Sequence, residues 1–100
     1  MIKHTVMWKL KNEALESSKA ENALKIKEML ESLKGEIKEI VSIEVGIDCT
    51  DNNNNYDVIL VSEFKTLDDL NTYQTHPKHV ECGKFIKQVY DSRVCVDYKA

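Results

Sequence analysis

Apolar and polar residues alternate strictly at the start of the chain. Ile2, His4, Val6, Trp8 and Leu10 fall on one side, and Lys3, Thr5, Met7 and Lys9 on the other. A period of two is that of a strand with one face on a core. The period then lengthens. Ser18-Lys19-Ala20-Glu21 reads as a capping box, and behind it Ala23, Ile26, Leu30 and Leu33 form a helical stripe. Helix is therefore expected over 18–34, with Gly35 supplying a left-handed C-terminal cap. Alternation returns at Val41, Ile43, Val45, Ile47 and Cys49, and the polar run through Asn52 to Asn55 is a connection.

From Tyr56 to Lys65 the alternation is of another kind. Val58, Leu60 and Phe64 point one way and Ile59 and Val61 the other, so the centre of this strand is apolar on both faces. Such a strand needs cover on both sides. A helical layer covers one, and a second copy of the chain is the economical cover for the other. Thr66-Leu67-Asp68-Asp69 opens a short helix with Leu67, Leu70 and Tyr73 directed inward. Pro77 ends it and begins another, whose inward stripe is His79, Cys82, Ile86 and Val89. A last strand over about Ser92 to Lys99 closes the chain. The order βαββααβ over residues 1–100 is one α+β domain on the ferredoxin-like plan, with a divided second helix.

Composition narrows the possible roles. With 42% hydrophobic and 31% charged residues the chain is an ordinary globular domain. Its 14 basic residues are scattered among 17 acidic ones, so nucleic acid is not an expected partner. The longest apolar run, Val58 to Val61, is far too short for a membrane span, and no signal peptide is visible. Cys49, Cys82 and Cys95 lack C-x-x-C spacing and read as reduced, buried thiols of a cytoplasmic protein. With three glycines there is no phosphate loop, and the three histidines lack metal-ligand spacing, so no cofactor or metal is expected.

The candidate chemistry lies in polar residues on apolar faces. His79 interrupts an apolar helix stripe, where partial dehydration favours a neutral imidazole able to take a proton. Tyr73 precedes it across the Pro77 break and could donate to a carbonyl oxygen beside it. His4 sits among Ile2, Val6 and Trp8, where it would anchor a polar ligand atom if a cavity lies there. His76 reads first as a helix-start residue and second as a substrate contact. Asp97 shares a strand face with Cys95, opposite Val94, Val96 and Tyr98, and beside His79 it would fix the tautomer.

The opening Ile2-Lys3-His4-Thr5-Val6-Met7-Trp8-Lys9-Leu10-Lys11, the stretch Tyr73-Gln74-Thr75-His76-Pro77-Lys78-His79-Val80 and the ending Val96-Asp97-Tyr98 resemble the stress-responsive dimeric A/B barrel (Dabb) family. The resemblance implies a homodimer in which two four-stranded antiparallel sheets form an α/β barrel, with a cavity between each sheet and its own helices. A plant polyketide cyclase branch of that family uses a Tyr and a His matching Tyr73 and His79, with a His matching His4 in the pocket and an Asp matching Asp97 behind the catalytic His. Gln74 and Thr75 stand where that branch is apolar, implying a smaller or more polar ligand.

Two functions follow. One is a cofactor-independent lyase or cyclase of a small carbonyl or phenolic compound, with His79 as base, Tyr73 on the oxyanion, Asp97 orienting His79, and His4 and His76 positioning substrate. The alternative is a non-catalytic stress-response or small-molecule-binding homodimer. Other dimeric α/β barrels suggest a third, a haem-degrading or cofactor-free monooxygenase using His4 or His79.

Overall fold

The computed structural model describes all residues 1–100. Strand β1 (Ile2–Leu10) is followed by a small hairpin of β2 (Glu13–Ala14) and β3 (Ser17–Ser18), helix α1 (Lys19–Glu31) and a 3-10 turn (Ser32–Gly35). Strands β4 (Ser42–Ile47) and β5 (Val58–Phe64), helices α2 (Leu67–Thr75) and α3 (Pro77–Val89), and strand β6 (Tyr90–Lys99) complete the chain. The four long strands form one antiparallel sheet in the order β4-β5-β1-β6. This is the α+β ferredoxin-like fold with three helices.

The helices lie on the face to which β1 turns its alternate residues. Ile2, Val6, Trp8 and Leu10 are buried there with Val58, Leu60 and Phe64 of β5, against Ala23, Ile26 and Leu30 of α1 and Cys82, Ile86 and Val89 of α3. Helix α1 starts on its capping box. Ser18 Oγ accepts from the Glu21 N–H at 3.2 Å, and Glu21 Oε1 accepts from the Ser18 N–H at 2.9 Å. Its other end departs from expectation. No glycine has positive φ, so Gly35 makes no left-handed cap. The helix instead tightens into the 3-10 turn, and the Ile37 N–H returns to the Leu33 carbonyl at 2.9 Å.

Three further expectations are corrected. Leu67, at the first position of α2, is 59% exposed, because only Leu70 and Tyr73 reach the sheet. Cys49 and Cys95 are exposed, and only Cys82 is a buried thiol. The β2–β3 hairpin has no signal in the alternation: Leu15 and Glu16 turn at φ 52° and 64° without a glycine. Buried Asn22 holds that turn, its Nδ2 donating to the Ala14 carbonyl at 3.1 Å and, more weakly, to that of Ser17 at 3.5 Å.

The opposite face of the sheet has no helices on it. There Met7, Ile59 and Val61 are half-buried, and Val94, Val96 and Tyr98 stand open to solvent. No helix is long and apolar enough to cross a membrane.

Candidate functional site

One line of polar side chains crosses the inner face of the sheet. In register, His4 on β1 stands opposite Ser62 on β5 and Asp97 on β6. Directly opposed residues share a face about 5 Å apart, so pairing alone brings imidazole and carboxylate together. His4 Nδ1 donates to Asp97 Oδ1 at 2.5 Å, with the ring buried and the carboxylate half-exposed. Ser62 Oγ, fully buried, donates to the His4 carbonyl at 3.2 Å. Cys95 Sγ lies 3.8 Å from His4 Nδ1 and 3.6 Å from Asp97 Oδ1. His4, Cys95 and Asp97 are the one group able to offer three ligand atoms to a metal ion. Their mixed N, S and O character would suit a transition ion rather than Mg²⁺ or Ca²⁺.

The second imidazole comes from the helical layer. Pro77 occupies the first turn of α3 and leaves His76 extended, so the chain breaks cleanly after α2. His76 caps the new helix, its Nδ1 accepting from the Lys78 N–H at 3.1 Å. The same turn carries His79 back over the end of α2, where its Nδ1 lies 3.1 Å from the Gln74 carbonyl. A carbonyl oxygen only accepts, so Nδ1 bears the hydrogen and the Nε2 lone pair is left for another partner. Burial pushes the His79 pKa below its ordinary value of 6.5, the Gln74 carbonyl opposes this, and His4, Arg93 and His76 add to the depression. The ring is therefore a neutral base at neutral pH.

Behind it is an aromatic stack. The Tyr73 ring centre is 4.4 Å from that of His79, 4.9 Å from that of Phe64 and 6.1 Å from that of His4. Tyr73 is 0% exposed, and its hydroxyl has no hydrogen-bond partner. Burial, with Cys82 beside it, raises its pKa well above the ordinary phenol, so it remains a donor. The other buried side-chain polar atom without a partner is Trp8 Nε1.

A cavity of about 280 Å³ opens between sheet and helices here. Val6, Leu30, Leu60 and Ile86 give it apolar walls; His4, His79 and Trp8 line it, with Lys87 and Arg93 also contributing. The volume is near the lower end of ligand pockets, about 300–1,000 Å³. A larger hollow of about 440 Å³ beside Met7, Gly46 and Ile59 gathers no histidine and no cation.

Of the candidate residues, His4 and His79 line one cavity, with Tyr73 packed directly behind His79. Tyr73, Asp97 and His76 do not line it. Asp97 serves His4 rather than His79, because the β1–β6 register puts it opposite His4 while His79 finds a carbonyl within its own turn. His76 has a capping role instead of a place on the wall. Trp8, Lys87 and Arg93 are the additions. Arg93 had a legible signal, since it shares the strand face of Cys95 and Asp97.

Comparison with known structures gives the same architecture. A dimeric protein of unknown function with a ferredoxin-like fold from Bacteroides fragilis is 37% identical, with 99% of this chain and 95% of that chain covered and a TM-score of 0.89. A dimeric ferredoxin-like protein of unknown function from Thermobifida fusca is 22% identical over 99% of this chain and 90% of that one, with a TM-score of 0.84. A hydroxynitrile lyase from Passiflora edulis is 18% identical over 97% of this chain and 90% of that one, with a TM-score of 0.79. No curated protein matches the chain. The family described as Stress responsive A/B Barrel Domain matches residues 2–100.

Proposed function

The chain belongs to the stress responsive A/B barrel domain (Dabb) family, and on that premise we propose that it is a homodimeric, cofactor-independent enzyme of small carbonyl compounds, with His79 as its base. The observation that carries this reading is the state of His79. Its Nδ1–H is committed to the Gln74 carbonyl, its ring is held by Tyr73, and its pKa is depressed. The Nε2 lone pair is thus available on the wall of a cavity. Of the two buried donors without protein partners, Trp8 N–H lies on the wall of this cavity and Tyr73 O–H belongs to the ring packed behind His79. A buried polar group left unpaired costs about 1–3 kcal/mol, which a ligand oxygen would recover.

In the proposed reaction, Nε2 of His79 removes a proton from a carbon next to a carbonyl, and the electron pair moves onto the carbonyl oxygen. The resulting enolate is met by hydrogen-bond donors of the site, to which we assign the Tyr73 hydroxyl, on a ring packed against that of His79. Its carbon attacks a second carbonyl of the same molecule, forming the new carbon–carbon bond. The imidazolium then returns its proton to the new alkoxide, and in reverse the same steps cleave the bond. His4, steadied by Asp97, positions the substrate. A lyase, the Passiflora edulis protein, occurs on this fold. The homodimer places the open faces of two sheets together, covering Val94, Val96 and Tyr98, and relatives of this fold are described as dimeric.

A screen of β-keto, phenolic and aldehyde compounds for turnover, with His79→Ala alongside wild type, tests the reading. Loss of general-base catalysis lowers kcat about 10²–10⁴-fold. An identified substrate turned over equally well by His79→Ala removes the base assignment.

The second reading is a dimer that binds a small molecule without transforming it. Complete burial of Tyr73 favours it, since the phenol then serves to pack the imidazole. A ligand bound at the cavity and recovered unchanged after prolonged incubation would support this reading over the first.

A further inference from the structure

The cavity is one-sided in its chemistry. None of its lining residues is acidic, whereas Lys87 and Arg93 are cations and Trp8 offers an unpartnered N–H. This does not follow from composition, because the chain carries more acidic than basic residues and has a net charge of -3. Elsewhere four lysines pair with carboxylates. Lys19 pairs with Asp57, Lys27 with Glu31, Lys78 with Glu36 and Lys84 with Glu81. Lys87 and Arg93 have no acidic partner. Asp97, on the same strand face as Arg93, is held by His4 instead.

We propose that the ligand of this cavity is a small organic carboxylate, its anionic group held by Arg93 and Lys87 and its apolar body lying against Val6, Leu30, Leu60 and Ile86. The inference rests on the reading that this cavity is the functional site, and it names the class of compound the site takes. Arg93 is the chain's single arginine. Its planar fork matches a carboxylate with two parallel hydrogen bonds, which the point charge of a lysine cannot reproduce. Lys87, on the helix that carries His79, adds charge from the opposite wall.

The arrangement also ties binding to basicity. The Arg93 charge is one of the influences that depress the His79 pKa. A carboxylate seated on Arg93 offsets that charge, so the imidazole becomes a stronger base once an anion is in place. A neutral ligand in the same cavity brings no such change. His4 on the strand wall and His76 at the helix start are the other titratable groups acting on His79.

Trp8 is the only tryptophan and lines the cavity, so its fluorescence reports occupancy. The test is a fluorescence titration of the full chain with phenylacetate and with phenylacetamide, which share shape and differ in charge. Phenylacetate is expected to bind about tenfold more tightly or better, with an affinity that falls as salt rises. Arg93→Gln abolishes the preference, and Arg93→Lys restores part of it. Both positions are exposed, so these variants and Lys87→Gln should fold, as circular dichroism would check. Equal affinity for acid and amide, unchanged by Arg93→Gln, overturns the carboxylate assignment and leaves the cavity reading standing. No fluorescence response to either compound at about 10 mM, well above the millimolar dissociation constant of a weak ligand, also overturns the assignment. A turnover screen then judges the cavity reading separately.

Discussion

The two faces of the sheet break the same rule in opposite directions. On the face beneath the helices, where apolar residues belong, the chain places His4, Ser62 and Asp97 in a line. On the face without helices, where polar residues belong, it places Val94, Val96 and Tyr98. Polar groups under cover must be hydrogen-bonded or they destabilise the fold, so their presence points toward a site. Apolar groups in the open lose nothing by being covered later, so their presence points toward a partner. The comparison separates chemistry from assembly within a single sheet, and each can be altered without the other.

The largest effect is expected on the open face. Val94→Glu with Val96→Glu would place carboxylates in the proposed sheet-to-sheet contact, where an unpaired buried charge costs about 3–5 kcal/mol. Light scattering should then show monomer where wild type shows dimer. A variant that stays dimeric would put the interface elsewhere. A smaller effect is expected under the helices. Asp97→Asn replaces the carboxylate that accepts from His4, and because that side chain is 37% exposed the loss is about 1–2 kcal/mol in denaturant unfolding. Dimerisation should be unchanged, and a dimer lost through Asp97→Asn would break the separation of the two faces.

The third expectation concerns pH. His79 titrates lower in the folded chain than its unfolded value of 6.5, so the unfolded state binds the proton more readily. The stability contribution is complete above pH 6.5 and falls as pH drops from there toward the depressed folded value. In His79→Ala this part of the acid loss should be missing from a thermal-unfolding series. The smallest effect belongs to Tyr73→Phe, which removes a buried hydroxyl with no partner and should leave stability within about 1 kcal/mol of wild type or slightly above. A loss of several kcal/mol would mean the hydroxyl has a bonded partner.

Legibility in the sequence followed the range of the interactions. Alternation placed His4 on the inner face and Asp97 opposite Val96, and the helical stripe placed His79 inward, because each depends only on the local period. The partnerships were different. Asp97 meets His4 through a register between strands 93 positions apart, which no local pattern encodes. His79 meets a backbone carbonyl, and a carbonyl has no residue type to read. The Leu15–Glu16 turn has no signal in the pattern because its positive φ values are held by Asn22, in the helix that follows, rather than by glycine. Gly35 misled for the converse reason, being a glycine in the expected place whose φ is not positive. The two-sided apolarity of residues 58–61 was visible at once, since both faces of a strand can be read from its own side chains.

The pairing of the first strand with the last carries a consequence in time. β1 lies between β5 and β6 in the finished sheet, yet β6 is synthesised after the other three strands of that sheet. While the chain emerges, β1 can pair with β5 and receive α1 and the later helices, but its other edge stays open. His4 waits through the same interval without its carboxylate. Completion of the sheet and orientation of the imidazole are thus one event, a late and long-range closure of the kind that slows folding. A ribosome-tethered chain stopped before Ser92 is expected to show protected amides in α1 and exchanging amides along the open edge of β1. Release of the final segment would close that edge and seat His4 together.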